Sequence, residues 1–581
     1  MLVAGAATAR EAVGIRGQLT SARDTLQQAI DNPAALATAP GRAATLSAVD
    51  AAVRSTADAR RRAGGGAVSL FGRIPGLRRQ WRGLIDLVDD SSAAATAART
   101  LLAQVDSLAQ ENQLSGGQVP LEPMQVLRGQ VEAAARTLGA LVHPRGGLWG
   151  PLGQARHRFD RAARSGSRRL ARAADALGAA RSFMGVGGDR RYLVVLENNA
   201  EMRDQGMVLQ YARARFQGGK LTFAGNGSVA DLALDRPAPT PVPPGSDEVF
   251  GSISPTRLWQ SVNATADFAW SGRAMADMYH QATGDSVDGV IGIDVPGLAD
   301  LLGVIGPVRV PGIGEILTPR NAGRVLLHDL YEGAPNGDQG SRRERLGELT
   351  RAVIERLTTA SHDPVALGRA LGVAARGGHL RLWSTVIDEE RVFEQSALGG
   401  GPGATDADRT FHVAVENRTA TKLDYYVKPS VRQEMQLSPQ GTLVVRTTVV
   451  VDNQAPVGQS PSYQLGPDGV ATTNPGDYLA WLLLWGPAGA TQPGAVPESG
   501  LVLSQRVVPV AAGQRREATF ETVVPDAVRD GRLRLRLVPQ ARLVPVDLDV
   551  RLRAPGWHVS GPRSWRGAWD RTLALEWGVS H

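Results

Sequence analysis

The chain has 581 residues, 43% hydrophobic and 21% charged, with a formal net charge of +7 and no cysteine. That length calls for roughly two to four domains, and the ordinary composition argues against wholesale disorder. Without cysteine there are no disulfides, thiolate catalysis or Cys-based zinc or iron–sulfur sites, which suits an extracytoplasmic bacterial protein.

The N-terminal third, residues 1–184, reads as a helical bundle or stalk. Ala12, Ile15, Leu19, Ala22, Leu26 and Ala29 make a heptad-like stripe. Asn32-Pro33 and Ala39-Pro40-Gly41 read as breakers. A second helix carries Leu46, Val49 and Val53 and closes at Gly64 to Gly66. A third starts near Trp81 and runs through Leu108, and a fourth carries Leu127, Val131 and Leu138. Short breaks between amphipathic helices predict a bundle. Arg156, Arg158, Arg161, Arg164, Arg168, Arg169 and Arg172 form a basic run that reads first as a solvated face and second as a surface for anionic lipid. Nothing accompanies it that would suit nucleic acid: no aromatic interleaving and no zinc finger.

The middle third, residues 185–395, predicts an α/β core. Tyr192–Leu196 and Met207–Phe216 are apolar runs rich in β-formers, and Gly218-Gly219 is a turn. The intervening loop Glu197–Gly206 holds two Asn, two Glu, one Arg and one Asp, more than a hairpin needs, and is a candidate site. Ser271–Thr283 predicts a helix capped by Ser271 and followed by Gly284. Val287–Ile293 predicts a strand, Asp294 a helix cap, and Thr318-Pro319 another helix start. His280 and His328 lack ligand spacing and read as structural. Ser341 and Glu344 have capping-box spacing, and Arg342, Arg343 and Arg345 crowd the same first turn, where cations are unfavourable unless an anion is near.

Asn198-Asn-Ala-Glu-Met-Arg203 resembles the signature of an uncharacterised bacterial envelope family, domain of unknown function four thousand and twelve. Asn263 to Phe268, Val287 to Asp294 and Gly306 to Val308 resemble it in the same order. That family's core is similar to the LytR–CpsA–Psr transferases, which attach glycopolymers to the bacterial wall. The resemblance implies Arg203, Asp204 and Asp231 as catalytic residues, Arg203, Arg342, Arg343 and Asn263 as pyrophosphate ligands, and Asp204 with Asp231 as the seat of Mg²⁺. Ala230 stands where the transferases have Arg, and the Arg–x–Asp spacing is compressed to Arg203-Asp204. The resemblance also implies a membrane anchor upstream of Met1, hence an extracytoplasmic, membrane-associated protein.

Residues 404–581, beyond the glycine linker at 399–403, turn to period two. Thr442–Asp452, Arg532–Leu537 and Val546–Leu552 alternate, so Leu and Val face a core and charges face water in a β-sandwich-like domain expected to fold alone. Leu479–Trp485 is too short to span a bilayer and predicts a buried strand. The chain is thus expected to be a multidomain α+β protein. Its function is expected to be transfer of phosphoglycosyl units from a polyprenyl-pyrophosphate carrier to a wall acceptor, or non-catalytic scaffolding or binding of envelope polysaccharide or lipid on a transferase-like fold.

Overall fold

The computed structural model describes residues 14–15, 17–25, 28, 33–65, 77–111, 114–143, 146–332, 339–469 and 471–581, less the side chains of Pro33, Gln339, Ser341 and Arg342. Met1 to Ala9, Ala12, Leu26, Ala29 and Asp338 therefore lie outside the described residues. The chain forms two compact units, 1–187 with 361–369, and 188–360 with 370–581. The architecture is mixed α+β, helical toward the N-terminus and sheet-rich toward the C-terminus. No helix among the described residues is long and apolar enough to cross a membrane.

In the first unit, the helices Ala39–Gly64, Arg78–Glu111, Leu121–Ala140 and Gly150–Phe183 pack on one another in sequence. Ala39-Pro40-Gly41 begins a helix rather than breaking one. Thr38 accepts from Gly41 N at 3.2 Å, and proline is tolerated in a first turn whose N–H groups have no helical partner. Ile15, Ala59, Ala63 and Val88 form one cluster, and Leu108, Leu127, Val131 and Ala174 another. The basic run splits. Arg158, Arg161, Arg164, Arg168, Arg169 and Arg172 are exposed as expected, but Arg156 is buried, pairing with Asp90 and with Asp160 (2.6 Å to Nη2). Arg42 similarly bridges Asp106 (3.1 Å) and Asp363 (3.0 Å), tying the 361–369 segment to its helices.

The second unit starts with a five-stranded sheet. Strand β1 (Asp189–Asn198) lies between β2 (Met207–Gln217), antiparallel, and β4 (Gly289–Asp294), parallel. Strand β3 (Lys220–Ser228) borders β2 and β5 (Leu380–Ser384) borders β4, giving the order β3-β2-β1-β4-β5. Gly218 and Gly219, at φ of +55° and +83°, make the left-handed two-residue turn that suits a twisted hairpin. The helix Phe268–Thr283 covers one face of the sheet through Met275, Met278 and Tyr279 on Leu193, Val195 and Val290. Ala374, Ala375 and Leu371 cover the other through Ile291, Ile293 and Leu382. Asp267 caps the first helix in place of Ser271, accepting from Ala269 N and Trp270 N. Ser271 lies one turn in and is fully buried. Asp294 caps the helix Val295–Ile305 as expected. Thr318-Pro319 forms a turn closed by Asn321 Oδ1, and helix begins only at Ala322. The helix of the Arg cluster spans Gln339–Thr359, so Ser341 sits within its first turn rather than at its cap.

Beyond residue 400 two further sheets share one core. The sheet of Arg515–Val524, Leu443–Asn453, Val427–Leu437, Val546–Arg553 and Ser564–Trp569 faces a larger one centred on Tyr478–Gly486, Thr410–Asn417 and Arg532–Val538. Alternation puts Val445, Val449, Val451, Leu548 and Val550 inside. The strand Tyr478–Gly486 is buried on both faces. Leu482 and Leu484 enter the inter-sheet core, while Trp481, Leu483 and Trp485 meet Val249, Phe250, Ala264 and Ala266 of the α/β core. Trp485 Nε1 donates to Glu498 Oε2 at 2.6 Å, and Glu498 Oε1 accepts from Ser246 and Thr265.

Residues 404–581 thus have a core of their own and a second apolar face that is dry only against 246–266. We expect the excised 404–581 fragment to show β-sheet circular dichroism yet self-associate in light scattering, while the full chain stays monodisperse. A monodisperse fragment as heat-stable as the corresponding transition of the full chain would count against this role for Trp481 and Trp485.

Candidate functional site

The loop Glu197–Gly206 joins β1 to β2 and, although polar, is almost wholly buried. Glu197, Asn198, Asn199, Glu201, Asp204 and Gln205 are all buried, and only Arg203 is half-exposed. Burying polar groups is costly unless each finds a partner, and these do. Asn198 Nδ2 donates to Tyr331 Oη (2.9 Å), and its Oδ1 accepts from Ala200 N (2.9 Å). Asn199 Nδ2 donates to Asp294 Oδ2 (2.8 Å), and its Oδ1 accepts from Val295 N (3.2 Å).

Most of the remaining partners come from the C-terminal sheets. Glu201 forms an ion pair with Lys422, whose ammonium lies 4.5 Å from the Tyr331 ring centroid and 5.4 Å from that of Tyr463. Burial pushes the Lys422 pKa down, but Glu201 more than offsets this and the ammonium stays charged. Met202 N donates to Asp424 Oδ2 (3.0 Å), and Met202 O accepts from Asn417 N (3.0 Å). Asp424 also accepts from Tyr478 Oη (2.9 Å) and pairs with Arg542 (3.0 Å). Arg203 O accepts from Gln540 (2.9 Å).

The residues assigned by resemblance fall into different places. Arg203 donates through Nη1 to Asn417 O (2.6 Å). It is the foremost opposing charge for buried Glu416, whose carboxyl burial holds well above the usual range. Asp204 Oδ1 lies 2.6 Å from His412 Nε2, and its N–H donates to Asn263 O (3.2 Å). Asn263 Nδ2 in turn donates to Gly206 O (2.5 Å) and Glu197 Oε1 (3.1 Å). Arg203, Asp204 and Asn263 are therefore neighbours, fastened to protein groups. Asp231 is exposed on the turn Val229–Leu232 after β3, whereas Asp204 is buried. Arg343 is exposed in the helix Gln339–Thr359, which packs on β2 and β3, and the side chain of Arg342 lies outside the described residues.

A different cluster opens to solvent. Arg376, Arg381 and Arg536 line a cleft of about 30 Å³ together with Glu394 and the backbone of Gly378, Gly399 and Gly401. Burial pushes the pKa of Arg381 down, against the pull of Asp204, Glu197 and Asp294. Arg536 is also lowered, chiefly by burial, which outweighs the opposing pull of Asp406, with a smaller push from Arg381. The Gln205 amide connects this cleft to the loop, donating to Glu197 Oε1 (3.2 Å) and accepting from Arg381 Nε (2.8 Å). Burial and the Asp294 charge hold the Glu197 carboxyl well above the usual range. Sequence alternation sends Arg536 to water, whereas it donates to Pro402 O (2.7 Å) at the cleft wall. Only its place in a strand reaching the Gly399–Gly403 linker could have signalled this.

Truncating one partner of a buried ion pair costs about 3–5 kcal/mol, because the other charge is left alone. We therefore expect Lys422→Met to destabilise the second unit by about that amount in urea unfolding, with Glu201→Gln added to Lys422→Met recovering much of the loss. Equal stability of wild type and Lys422→Met would remove the pair from the account. His379 supplies a pH test. Burial pushes its pKa down, but Asp294, 2.8 Å from Nδ1, and Asp300 outweigh burial and raise it overall. A raised folded-state value means the contribution is complete below the unfolded value of about 6.5 and is lost as pH rises through the folded value. His379→Gln should accordingly flatten stability against pH above about 6.5, and an unchanged slope would contradict this.

Residues 187–331, from β1 through Tyr331, match the family described as protein of unknown function (DUF4012). No curated protein and no solved structure matches the chain.

Proposed function

We propose that this chain is a non-catalytic, extracytoplasmic envelope protein that binds an anionic group of an envelope polymer at the Arg376–Arg381–Arg536 cleft. The observation that carries this reading is the cleft itself: three arginines line one opening, and burial lowers the pKa of Arg381 and Arg536 even against the pull of nearby carboxylates. Such a site is relieved by an oxyanion, which arginine grips through paired N–H donors. The envelope setting rests on the resemblance of the signature motifs to their family.

The transferase alternative asks Arg203 and Asp204 to face a ligand. Both are engaged by Asn417 and His412, and Asp231 is on an exposed turn. A polyprenyl chain also needs an apolar groove, whereas this cleft is small and lined largely by arginine and glycine. These observations favour recognition over transfer.

Titration of the full chain with inorganic phosphate and pyrophosphate by calorimetry tests the proposal. An Arg–phosphate contact contributes about 1.5–3 kcal/mol, so Arg376→Ala and Arg536→Ala should each weaken binding about ten- to a hundredfold. Arg376 is exposed, so its removal leaves folding intact. Absence of binding by wild type, or affinity unchanged in Arg376→Ala and Arg536→Ala alike, would refute the proposed role of the cleft.

A further inference from the structure

After Ala322–Arg324 the helix widens into a single π turn, Val325–Asp329. Such turns are rare and cluster at functional sites. His328 Nδ1 lies 2.9 Å from Asp329 Oδ1 and 3.9 Å from Glu332 Oε2. The ligand atoms of these three residues all lie within 4.8 Å of one another, the one such group of His, Asp and Glu among the described residues. We propose that His328, Asp329 and Glu332 form a binding site for a divalent transition-metal ion of the zinc class.

Two of the three ligands are held from behind. Asp329 offers Oδ1 to the site while its Oδ2 pairs with Arg324, which is itself held by both carboxylate oxygens of Glu315 at 2.7 Å. The His328 ring packs against Tyr425 (4.8 Å between centroids), and its Nε2 lies 2.9 Å from Tyr426 Oη. That contact is the outer hydrogen bond a metal-binding imidazole needs. In the neutral tautomer with its proton on Nδ1, the ring donates to Asp329 and accepts from the tyrosine hydroxyl at Nε2. With metal on Nδ1, the proton sits on Nε2 and donates to Tyr426 Oη, so the ring changes tautomer without net proton release. Glu332 is the mobile third arm, with its side chain 70% exposed. Tetrahedral zinc at about 2.0–2.1 Å sets its ligands roughly 3.3 Å apart. The His328–Asp329 pair is already close to that spacing, and Glu332 needs only a side-chain rotation.

The ligand chemistry selects the ion. Mg²⁺ and Ca²⁺ favour all-oxygen shells, while an imidazole nitrogen with two carboxylates suits zinc and its neighbours. Three protein ligands leave a fourth position for water or a ligand atom. The site would also secure the π turn against Tyr425 and Tyr426, three and four residues after Lys422 in the chain.

Untagged full-length protein, stripped with chelator and dialysed, is titrated with zinc chloride against a chromogenic competitor, and cobalt(II) is added in parallel to read visible absorption. We expect one zinc per chain with micromolar or tighter affinity, a cobalt spectrum of low coordination number, and a rise in melting temperature with zinc. His328→Ala and Glu332→Gln should each weaken zinc binding at least tenfold. Glu332 is exposed, so its substitution tests the site without unfolding the protein. His280→Ala, at an exposed histidine beside Ser286, should bind as wild type does. Failure of wild type to take up zinc at micromolar concentration, or wild-type affinity in both His328→Ala and Glu332→Gln, would overturn the assignment.

Discussion

The ion pair of Glu201 with Lys422 is the constraint on which the second unit depends. Both side chains are buried, at 5% and 1% exposure, so neither charge is tolerable without the other. The chain has only three lysines among its 64 basic residues, and one stands here. A compact ammonium fits between the rings of Tyr331 and Tyr463 while meeting a carboxylate, where a planar guanidinium would demand more donors' worth of partners. Beside this pair, Met202, Arg203 and Asp204 meet Asp424, Asn417 and His412, within one compact unit that holds both the core and the C-terminal sheets.

Arg156 follows the same logic in the helical unit. Its clusters mix alanines, which bury little area each, with Ile, Val and Leu. A buried Arg156 between Asp90 and Asp160 adds little net stability over apolar packing, but it penalises any helix register that separates the three. In both units a buried charge therefore acts more on the choice of arrangement than on the strength of it.

Local rules made much of this fold legible. Period-two alternation in Arg532–Leu537 and Val546–Leu552, the paired glycines at 218 and 219, and the Asp294 cap all act within a few residues. The misses have physical causes. Strand β3 contains Gly225 and Gly227 and is largely exposed, so it carries no clean apolar rhythm. Ser271 and Asp267 both suit a cap, and burial chose Asp267 by putting Ser271 a turn further in. The loop Glu197–Gly206 could be recognised as unusual but not as buried, since its partners stand 208 and 221 residues away at His412 and Lys422. His328, Asp329 and Glu332 converge across a π turn, which regular helical spacing does not announce.

The polar side chains of the signature loop join the α/β core to the C-terminal part of the unit. A catalytic carboxylate or arginine must be free to exchange partners with a ligand, whereas Asp204 and Arg203 would each have to break a buried contact first. The exception is the edge of the network. Gln205 carries a hydrogen-bonded path from Glu197 to Arg381, and Arg381 lines the cleft. Charge arriving there acts on Arg381 in a desolvated setting, where fields are screened far less than at a surface. The signature loop is thus the wall behind the cleft, fixing where Arg381 stands.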